Sequence, residues 1–164
     1  MPMRIGTELP SLAAGATEWL NEADETLVAE AKGFPTLVHF WSVSCNLCKE
    51  NLPRLAEWRE SKRDAGLRVI AVHMPRYEAD TNVAAARADA EKYNITEPCA
   101  IDNRHKLREA FQNDQGYVPA YYLFDAEGKL KSFAAGERGL NMLTTALDRV
   151  LAAYAAQREE AVVA

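Results

Sequence analysis

The 164-residue chain contains little cysteine and no long apolar run. Three cysteines, a small and odd number, exclude a fold built on a disulfide framework. No stretch of about 18 apolar residues is present, so a membrane-spanning helix is not expected. The opening "MPMRIGTELP" lacks the apolar segment of a secretory signal. We therefore expect a cytoplasmic protein with no membrane partner.

Positive charge and histidine are also scarce. Nineteen Lys and Arg residues face 24 Asp and Glu residues, which gives a net charge of −5. Without a basic stripe the chain is poorly suited to hold phosphates, so nucleic acid is not an expected partner. A second C-x-x-C and an H-x-x-x-H are both missing, and a tetrahedral zinc site needs four ligands. We expect no metal and no cofactor.

What the chain does have is the composition of a globular protein, with 48% hydrophobic and 26% charged residues. Its length fits one domain, and no linker or internal repeat divides it. We therefore predict one domain over residues 1–164, which begins with an N-terminal extension over residues 1–35.

Hydrophobic patterning predicts alternating strands and helices. Two continuous apolar runs, "PTLVHFW" and "LRVIAVHM", are typical of strands buried on both faces. Helices are predicted over "DETLVAEAKG" (Asp24 as N-cap and Gly33 as stop), from Cys45 to about Arg63 with Pro53 inside, over "DTNVAAARADAEKY" and over "HKLREAFQ". A short strand is predicted at "CAID", and a hairpin of "AYYLFD" and "KLKSFAA" that turns at Gly128. The C-terminal segment predicts a helix with one apolar face, formed by Leu140, Leu143, Leu147, Val150, Leu151 and Tyr154. This order predicts an α/β fold with a mixed sheet.

The segment "HFWSVSCNLCKENLP" places two cysteines where a buried strand passes into a helix. Free backbone N–H groups and the helix dipole stabilise an anion at this position, which favours a thiolate at Cys45. Cys48 follows about one helical turn later, within reach of a mixed disulfide on Cys45. We interpret Cys45 as the nucleophile and Cys48 as the resolving cysteine. A zinc half-site or an inert pair is the less favoured interpretation.

Two motifs resemble the thioredoxin superfamily. "LVHFWSVSCNLCKENLP" is similar to its active-site segment: Trp41 stands four residues before the first cysteine, and Pro53 occupies the place of the proline that kinks the active-site helix. "YVPAYYLFDAEGKL" resembles the segment in which a cis proline precedes a strand and hairpin, with Pro119 after Val118. The opening "IGTELPSL" and an insertion around residues 80–98 resemble the TlpA/ResA branch.

This resemblance implies a thioredoxin-like fold, with a central mixed β-sheet flanked by helices. It also implies a cytosolic thiol–disulfide oxidoreductase that reduces disulfide-containing protein substrates and is recharged by a cellular thiol reductant. Trp41 would then lie beside the reactive cysteine as part of the substrate site. Val118 and Pro119 would form a backbone edge that pairs with an extended substrate strand.

Four residues depart from the superfamily pattern. His39 stands where thioredoxin has a buried aspartate, and it is either a proton acceptor for Cys48 or a packed core histidine. Asn46 and Leu47 separate the cysteines in place of Gly-Pro, so the redox potential does not carry over. ResA-type proteins have a glutamate three residues after the second cysteine, and here that residue is Asn51.

Two other functions compete with disulfide reduction. A peroxiredoxin-like peroxidase would carry P-x-x-x-[TS]-x-x-C, in which Ser42 fits but Val38 replaces the proline. A non-enzymatic redox sensor or metal-binding module is the second alternative. We expect Cys99 to be a buried core thiol and His73 a structural residue.

Overall fold

The chain forms a six-stranded mixed sheet with helices on both faces. The computed structural model describes residues 2–21 and 31–163. Its strands are β1 (Glu18–Leu20), β2 (Thr36–Trp41), β3 (Arg68–His73), β4 (Cys99–Ile101), β5 (Ala120–Phe124) and β6 (Leu130–Ala135). Its helices are α1 (Leu12–Gly15), α2 (Asn46–Ser61), α3 (Val83–Lys92), α4 (Lys106–Ala110) and α5 (Gly139–Val163), with a 3₁₀ turn at Glu78–Thr81.

The strand order is β1-β4-β3-β2-β5-β6. The neighbours β2 and β3 are parallel, as are β3 and β4, whereas β5 is antiparallel to both β2 and β6. In the β2–β5 register Phe40 lies opposite Ala120, so the end of β2 and the start of β5 meet at one edge of the sheet. The topology therefore brings the C-x-x-C turn and the segment before β5 together.

The central strand β2 is buried on both faces, which explains its continuous apolar sequence. Leu37 and Trp41 belong to the core cluster that contains residues of α2 and α5. Val38 and Phe40 belong to the opposite cluster, which includes Phe111 beyond α4. Complete burial of one such side chain contributes about 1.5–3 kcal/mol, so both layers anchor β2 firmly.

Most predicted elements are confirmed, with bounds that differ by a few residues. Helix α2 begins one residue after Cys45, contains Pro53 and ends at Ser61. The predicted hairpin is present, and Gly128 at its turn has φ +78°, a conformation that glycine adopts without steric cost. The helix predicted over residues 24–33 lies mostly outside the described residues.

Strand β1 is an element that the sequence patterning did not predict. Glu18–Leu20 pairs antiparallel with β4, so part of the predicted N-terminal extension is an edge strand of the central sheet. The segment before β1 reaches the opposite edge of the sheet, where Glu8 forms an isolated β-bridge with Lys129, the residue before β6. Within the described ranges, no helix combines the length and apolarity needed to cross a membrane.

Candidate active site

The two cysteines of the C-x-x-C motif lie at the start of α2, immediately after the turn that leaves β2. The Cys45 backbone N–H donates to the Ser42 carbonyl at 3.0 Å and closes this turn. Cys45 itself is the N-cap of α2, and its Sγ accepts a hydrogen bond from the Cys48 backbone N–H at 3.0 Å. A sulfur at a helix N-cap that accepts an amide N–H is in a position that stabilises a thiolate.

Cys45 and Cys48 are joined by a disulfide bond, with their Cα atoms 5.3 Å apart. Cys45 is 3% exposed and Cys48 is 2% exposed, so the bond is almost covered by protein. Three half-buried side chains, Val43, Leu47 and Val118, pack against the core cluster that contains both cysteines. The disulfide therefore lies in a largely apolar setting.

The segment before β5 lies at the same edge of the sheet. The Val118–Pro119 peptide bond is cis. The Asn113 side chain holds the preceding residue, since its Nδ2 donates to the Tyr117 carbonyl at 3.0 Å and its Oδ1 accepts from the Tyr117 N–H at 2.9 Å. Tyr117 itself is 50% exposed. Asn113 was not among the residues that the sequence singled out, because nothing local marks its role.

Trp41 lies in the core cluster that contains both cysteines, and its side chain is 0% exposed. Its predicted contact with a substrate stays a prediction. The indole N–H donates to Cys99 Sγ at 3.4 Å, and the ring stacks edge-on against His73 with centroids 4.8 Å apart. As the last residue of the central strand, Trp41 supports the site from inside.

Cys99 is a buried free thiol, as expected. Burial raises its pKa to about 12, although the hydrogen bond from Trp41 acts in the opposite direction. The thiol is therefore protonated at neutral pH, and a protonated thiol is a poor nucleophile.

His39 lies on the same face of β2 as Trp41, 1% exposed, in a buried polar network. Its Nε2 is 2.6 Å from Glu97 Oε2, and the other carboxylate oxygen accepts from Arg59 Nη1 at 2.6 Å. Burial alone would raise the pKa of Glu97, but its hydrogen bond with His39 and the positive charge of Arg59 help lower it below its usual range. Glu97 and Arg59 were missed from the sequence because His39 and Glu97 are 58 positions apart.

Asn51 also has a defined partner. Its Nδ2 donates to the Tyr121 hydroxyl at 3.0 Å, which links α2 to β5 one turn beyond Cys48. Burial raises the pKa of Tyr121 to about 12, so the hydroxyl is neutral near pH 7. Where ResA-type proteins carry a glutamate, this chain therefore has an uncharged pair.

His73 is fully buried at the end of β3, as expected of a structural residue. Its Nε2 accepts from the Val43 backbone N–H at 3.2 Å, and burial lowers its pKa to about 4, so the imidazole is neutral. Among residues 2–21 and 31–163, no group of three or more His, Cys, Asp or Glu side chains is arranged to hold a metal ion.

A mixed sheet that carries a disulfide-bonded C-x-x-C at a strand-to-helix turn defines the thioredoxin-like class of thiol–disulfide oxidoreductases. The model of the AhpC/TSA family matches residues 5–133, and the chain belongs to this family.

Comparison with individual proteins agrees with that class. The chain is 44% identical over 152 residues to the thiol–disulfide oxidoreductase YkuV of Bacillus subtilis, which covers 92% of this chain and 98% of YkuV. It is 22% identical over 116 residues to the thiol–disulfide oxidoreductase ResA of Bacillus subtilis, covering 71% of this chain and 61% of ResA. A solution structure of a thioredoxin-like protein in the oxidised form superimposes with a TM-score of 0.79, at 43% identity, and covers 92% of this chain and 98% of that chain. The predicted thioredoxin-like fold and thiol–disulfide oxidoreductase activity are confirmed.

Proposed function

We propose that this protein reduces disulfide bonds in protein substrates through a dithiol–disulfide cycle of Cys45 and Cys48. The observation that carries this proposal is the position of Cys45 as the N-cap of α2, with its sulfur bonded to Cys48 and within 3.0 Å of an amide N–H. A sulfur at this position leaves and attacks readily because its anion is stabilised.

The cycle has two exchange steps. In the reduced protein the Cys45 thiolate attacks one sulfur of the substrate disulfide, forms a mixed disulfide and releases the first substrate thiolate. The Cys48 thiolate then attacks the Cys45 sulfur, forms the Cys45–Cys48 disulfide and releases the second substrate thiolate. Two electrons pass from the enzyme to the substrate, and each released thiolate takes up one proton. A cellular thiol reductant returns the enzyme to the dithiol form.

His39 is our candidate for the group that accepts the proton of Cys48 before the second step. It lies on the face of β2 that packs against α2, buried beside Glu97. A carboxylate within 2.6 Å of Nε2 orients the ring and stabilises the imidazolium that would form when the ring takes a proton. Loss of His39 should therefore slow resolution more than attack, so that the mixed disulfide accumulates.

Val118 and Pro119 are our candidates for substrate contact. They precede β5 at the edge of the sheet where β2 ends, and half-buried Val118 packs against the cluster of both cysteines. An extended substrate segment beside the backbone of Val118 would gain main-chain hydrogen bonds without dependence on its sequence. Buried Trp41 then acts as a support for this site. We place the reaction in the cytoplasm.

The decisive experiment is reduction of insulin by the intact protein and by Cys45→Ser and Cys48→Ser variants. Cys45→Ser should abolish turnover, and Cys48→Ser should form a mixed disulfide that persists on a non-reducing gel. Full activity in both variants would overturn the proposal.

Two alternatives have their own readouts. A peroxidase would consume hydrogen peroxide much faster than free cysteine does, whereas Val38, where that motif requires proline, is a fully buried residue in the middle of β2. A redox sensor or metal-binding module would hold stoichiometric zinc or form a disulfide that does not turn over.

A further inference from the structure

The turn that presents Cys45 is held by one segment of the chain that lies outside the C-x-x-C motif. This segment runs from His73, at the end of β3, to Asp80 in the 3₁₀ turn. Each of the three residues directly before Cys45 makes a hydrogen bond to this segment, through its side chain or its backbone. The segment coincides with no sequence motif that the disulfide-exchange mechanism uses.

Asp80 accepts four hydrogen bonds through a single oxygen, two of them from the turn. Its Oδ2 accepts from the hydroxyls of Ser42 at 2.8 Å and Ser44 at 2.7 Å. The same oxygen accepts from the backbone N–H groups of Arg76 at 2.9 Å and Tyr77 at 3.2 Å. Asp80 is 3% exposed, and a buried carboxylate with this many donors is fixed in place.

Asp80 is also ionised. Burial opposes its ionisation, but the hydrogen bonds from Ser44, Arg76, Ser42 and Tyr77 outweigh burial and lower its pKa below the usual range. The negatively charged carboxylate of Asp80 is therefore hydrogen-bonded to the hydroxyl of Ser44, the residue before Cys45. Such a charge disfavours a thiolate at Cys45.

Arg76 brings the opposite charge to the same residue. Its Nη2 donates to the Ser44 carbonyl at 2.5 Å and its Nε to the Ser44 hydroxyl at 3.1 Å. A guanidinium hydrogen-bonded to the residue before Cys45 favours a thiolate at Cys45. Because Arg76 is exposed and Asp80 is buried, salt should screen the first charge more than the second.

The third contact is uncharged. His73 accepts from the Val43 N–H through Nε2, so its neutral ring carries the proton on Nδ1, which has no hydrogen-bond partner among the described residues. With a pKa of about 4, His73 stays neutral over the working range of a thiol. It therefore shapes the turn without adding a charge.

Other charged groups on the elements around the cysteines are largely paired. Lys49 of α2 is 3.1 Å from Asp89 of α3, and Glu97 is held between His39 and Arg59. Glu50 of α2 is exposed, where its effect is screened. Within residues 2–21 and 31–163, Asp80 and Arg76 are thus the charged groups whose side chains hydrogen-bond to Ser44, next to Cys45.

We propose that Asp80 and Arg76 are positioning residues of opposed charge, which hold the Ser42–Cys45 turn and together set how readily Cys45 forms a thiolate. This rests on the proposed disulfide exchange only for its use in turnover, because thiolate formation can be measured without a substrate protein. Asp80 alone would keep Cys45 protonated and the disulfide favoured. Arg76 alone would do the reverse.

The test is the pH dependence of Cys45 alkylation by iodoacetamide in the reduced protein. Asp80→Asn should lower the midpoint pH of alkylation by about half a unit, which is roughly a threefold gain in thiolate at fixed pH below the midpoint. Arg76→Gln should raise the midpoint by a similar amount, and the Arg76 effect should shrink in high salt. In equilibrium with glutathione, Asp80→Asn should be the more oxidising protein and Arg76→Gln the more reducing one.

Asp125→Asn is the matched control. Asp125 also holds a turn, accepting from the Glu127 and Lys129 N–H groups, but it lies at the opposite end of β5 from Pro119. It should leave the alkylation midpoint unchanged. The proposal would be overturned if both variants moved the alkylation midpoint in the same direction, or if neither variant moved it. If Asp80→Asn does not fold, Arg76→Gln decides alone, since its side chain is exposed, and an unchanged midpoint refutes the charge effect.

These outcomes are separable from the proposed function. If the protein does not reduce insulin but the two variants shift the alkylation midpoint in opposite directions, the positioning role of Asp80 and Arg76 stands and the proposed substrate is wrong. If the protein reduces insulin and neither variant shifts the midpoint, disulfide exchange stands and the positioning role is wrong.

Discussion

The surroundings of the Cys45–Cys48 pair and of Cys99 differ, although all three cysteines belong to the same core cluster. Cys45 caps a helix, accepts an amide N–H and is bonded to Cys48. Cys99 lies within β4 with no exposure, and burial raises its pKa to about 12. The difference lies in what surrounds each sulfur: free N–H groups at a helix N-terminus favour a thiolate at Cys45, whereas complete burial keeps the Cys99 thiol protonated.

Exchange of each cysteine for serine should separate the two environments most strongly. Cys45→Ser should reduce insulin-reduction activity by about 1,000-fold or more, since it removes the proposed nucleophile. Cys99→Ser should keep activity within about twofold, because no step uses this thiol. Comparable losses in both variants would mean that Cys99 takes part in the cycle.

Thiol labelling of the reduced wild-type protein should show the second largest contrast. Cys45 should react with iodoacetamide at neutral pH at least about 100-fold faster than Cys99, which requires opening of the sheet before a reagent can reach it. Mass spectrometry of peptides from a labelling time course measures both rates. Equal labelling in native buffer would show that β4 opens readily, and labelling in urea supplies the reference for full access.

The buried Glu97 network should contribute the next largest effect, this time on stability. Glu97→Gln leaves Arg59 and His39 without their carboxylate, so we expect the free energy of unfolding to fall by about 2–3 kcal/mol at pH 7. Because the folded state lowers the pKa of Glu97 below 4.5, its stabilising effect is present above that pH and is lost as pH falls through the folded-state pKa. Urea unfolding at pH 7 and at pH 3.5 should therefore show a smaller difference between variant and wild type at the lower pH.

Glu60→Gln is the control for this measurement. Glu60 pairs with the same Arg59 at 3.0 Å, but its side chain is 72% exposed. An exposed pair contributes about 0–1 kcal/mol, so its loss should be small at both pH values. Equal losses from Glu97→Gln and Glu60→Gln would show that burial does not distinguish the two pairs.

Apart from the Glu60 control, the smallest effect should come from Trp41, which shares one core cluster with Cys45 and Cys99. Trp41→Phe keeps an aromatic ring in the core but loses the N–H that donates to Cys99. We expect about 1–2 kcal/mol of destabilisation, measured by urea unfolding, and insulin reduction that stays within a few-fold of wild type. A loss of activity as large as that of Cys45→Ser would return Trp41 to the role of a substrate-contacting residue.

Much of the fold followed from local pattern. The continuous apolar runs gave β2 and β3, the cysteines marked the start of α2 to within one residue, and Gly128 marked the hairpin turn. Strand β1 was missed because three residues without strong alternation carry little local signal. It is a strand because β4 offers an unpaired edge for it.

The sequence by itself determined the position of the C-x-x-C motif at a strand-to-helix turn and the identity of the segment that begins β5. Those depend on hydrophobic periodicity, turn residues and helix capping, which act over a few residues. Only the tertiary structure decided that His39 meets Glu97, that Asp80 holds Ser42 and Ser44, and that Trp41 is buried. Partners that are 36–58 positions apart are set by strand order and by the path of the crossovers between strands, and no local pattern encodes them.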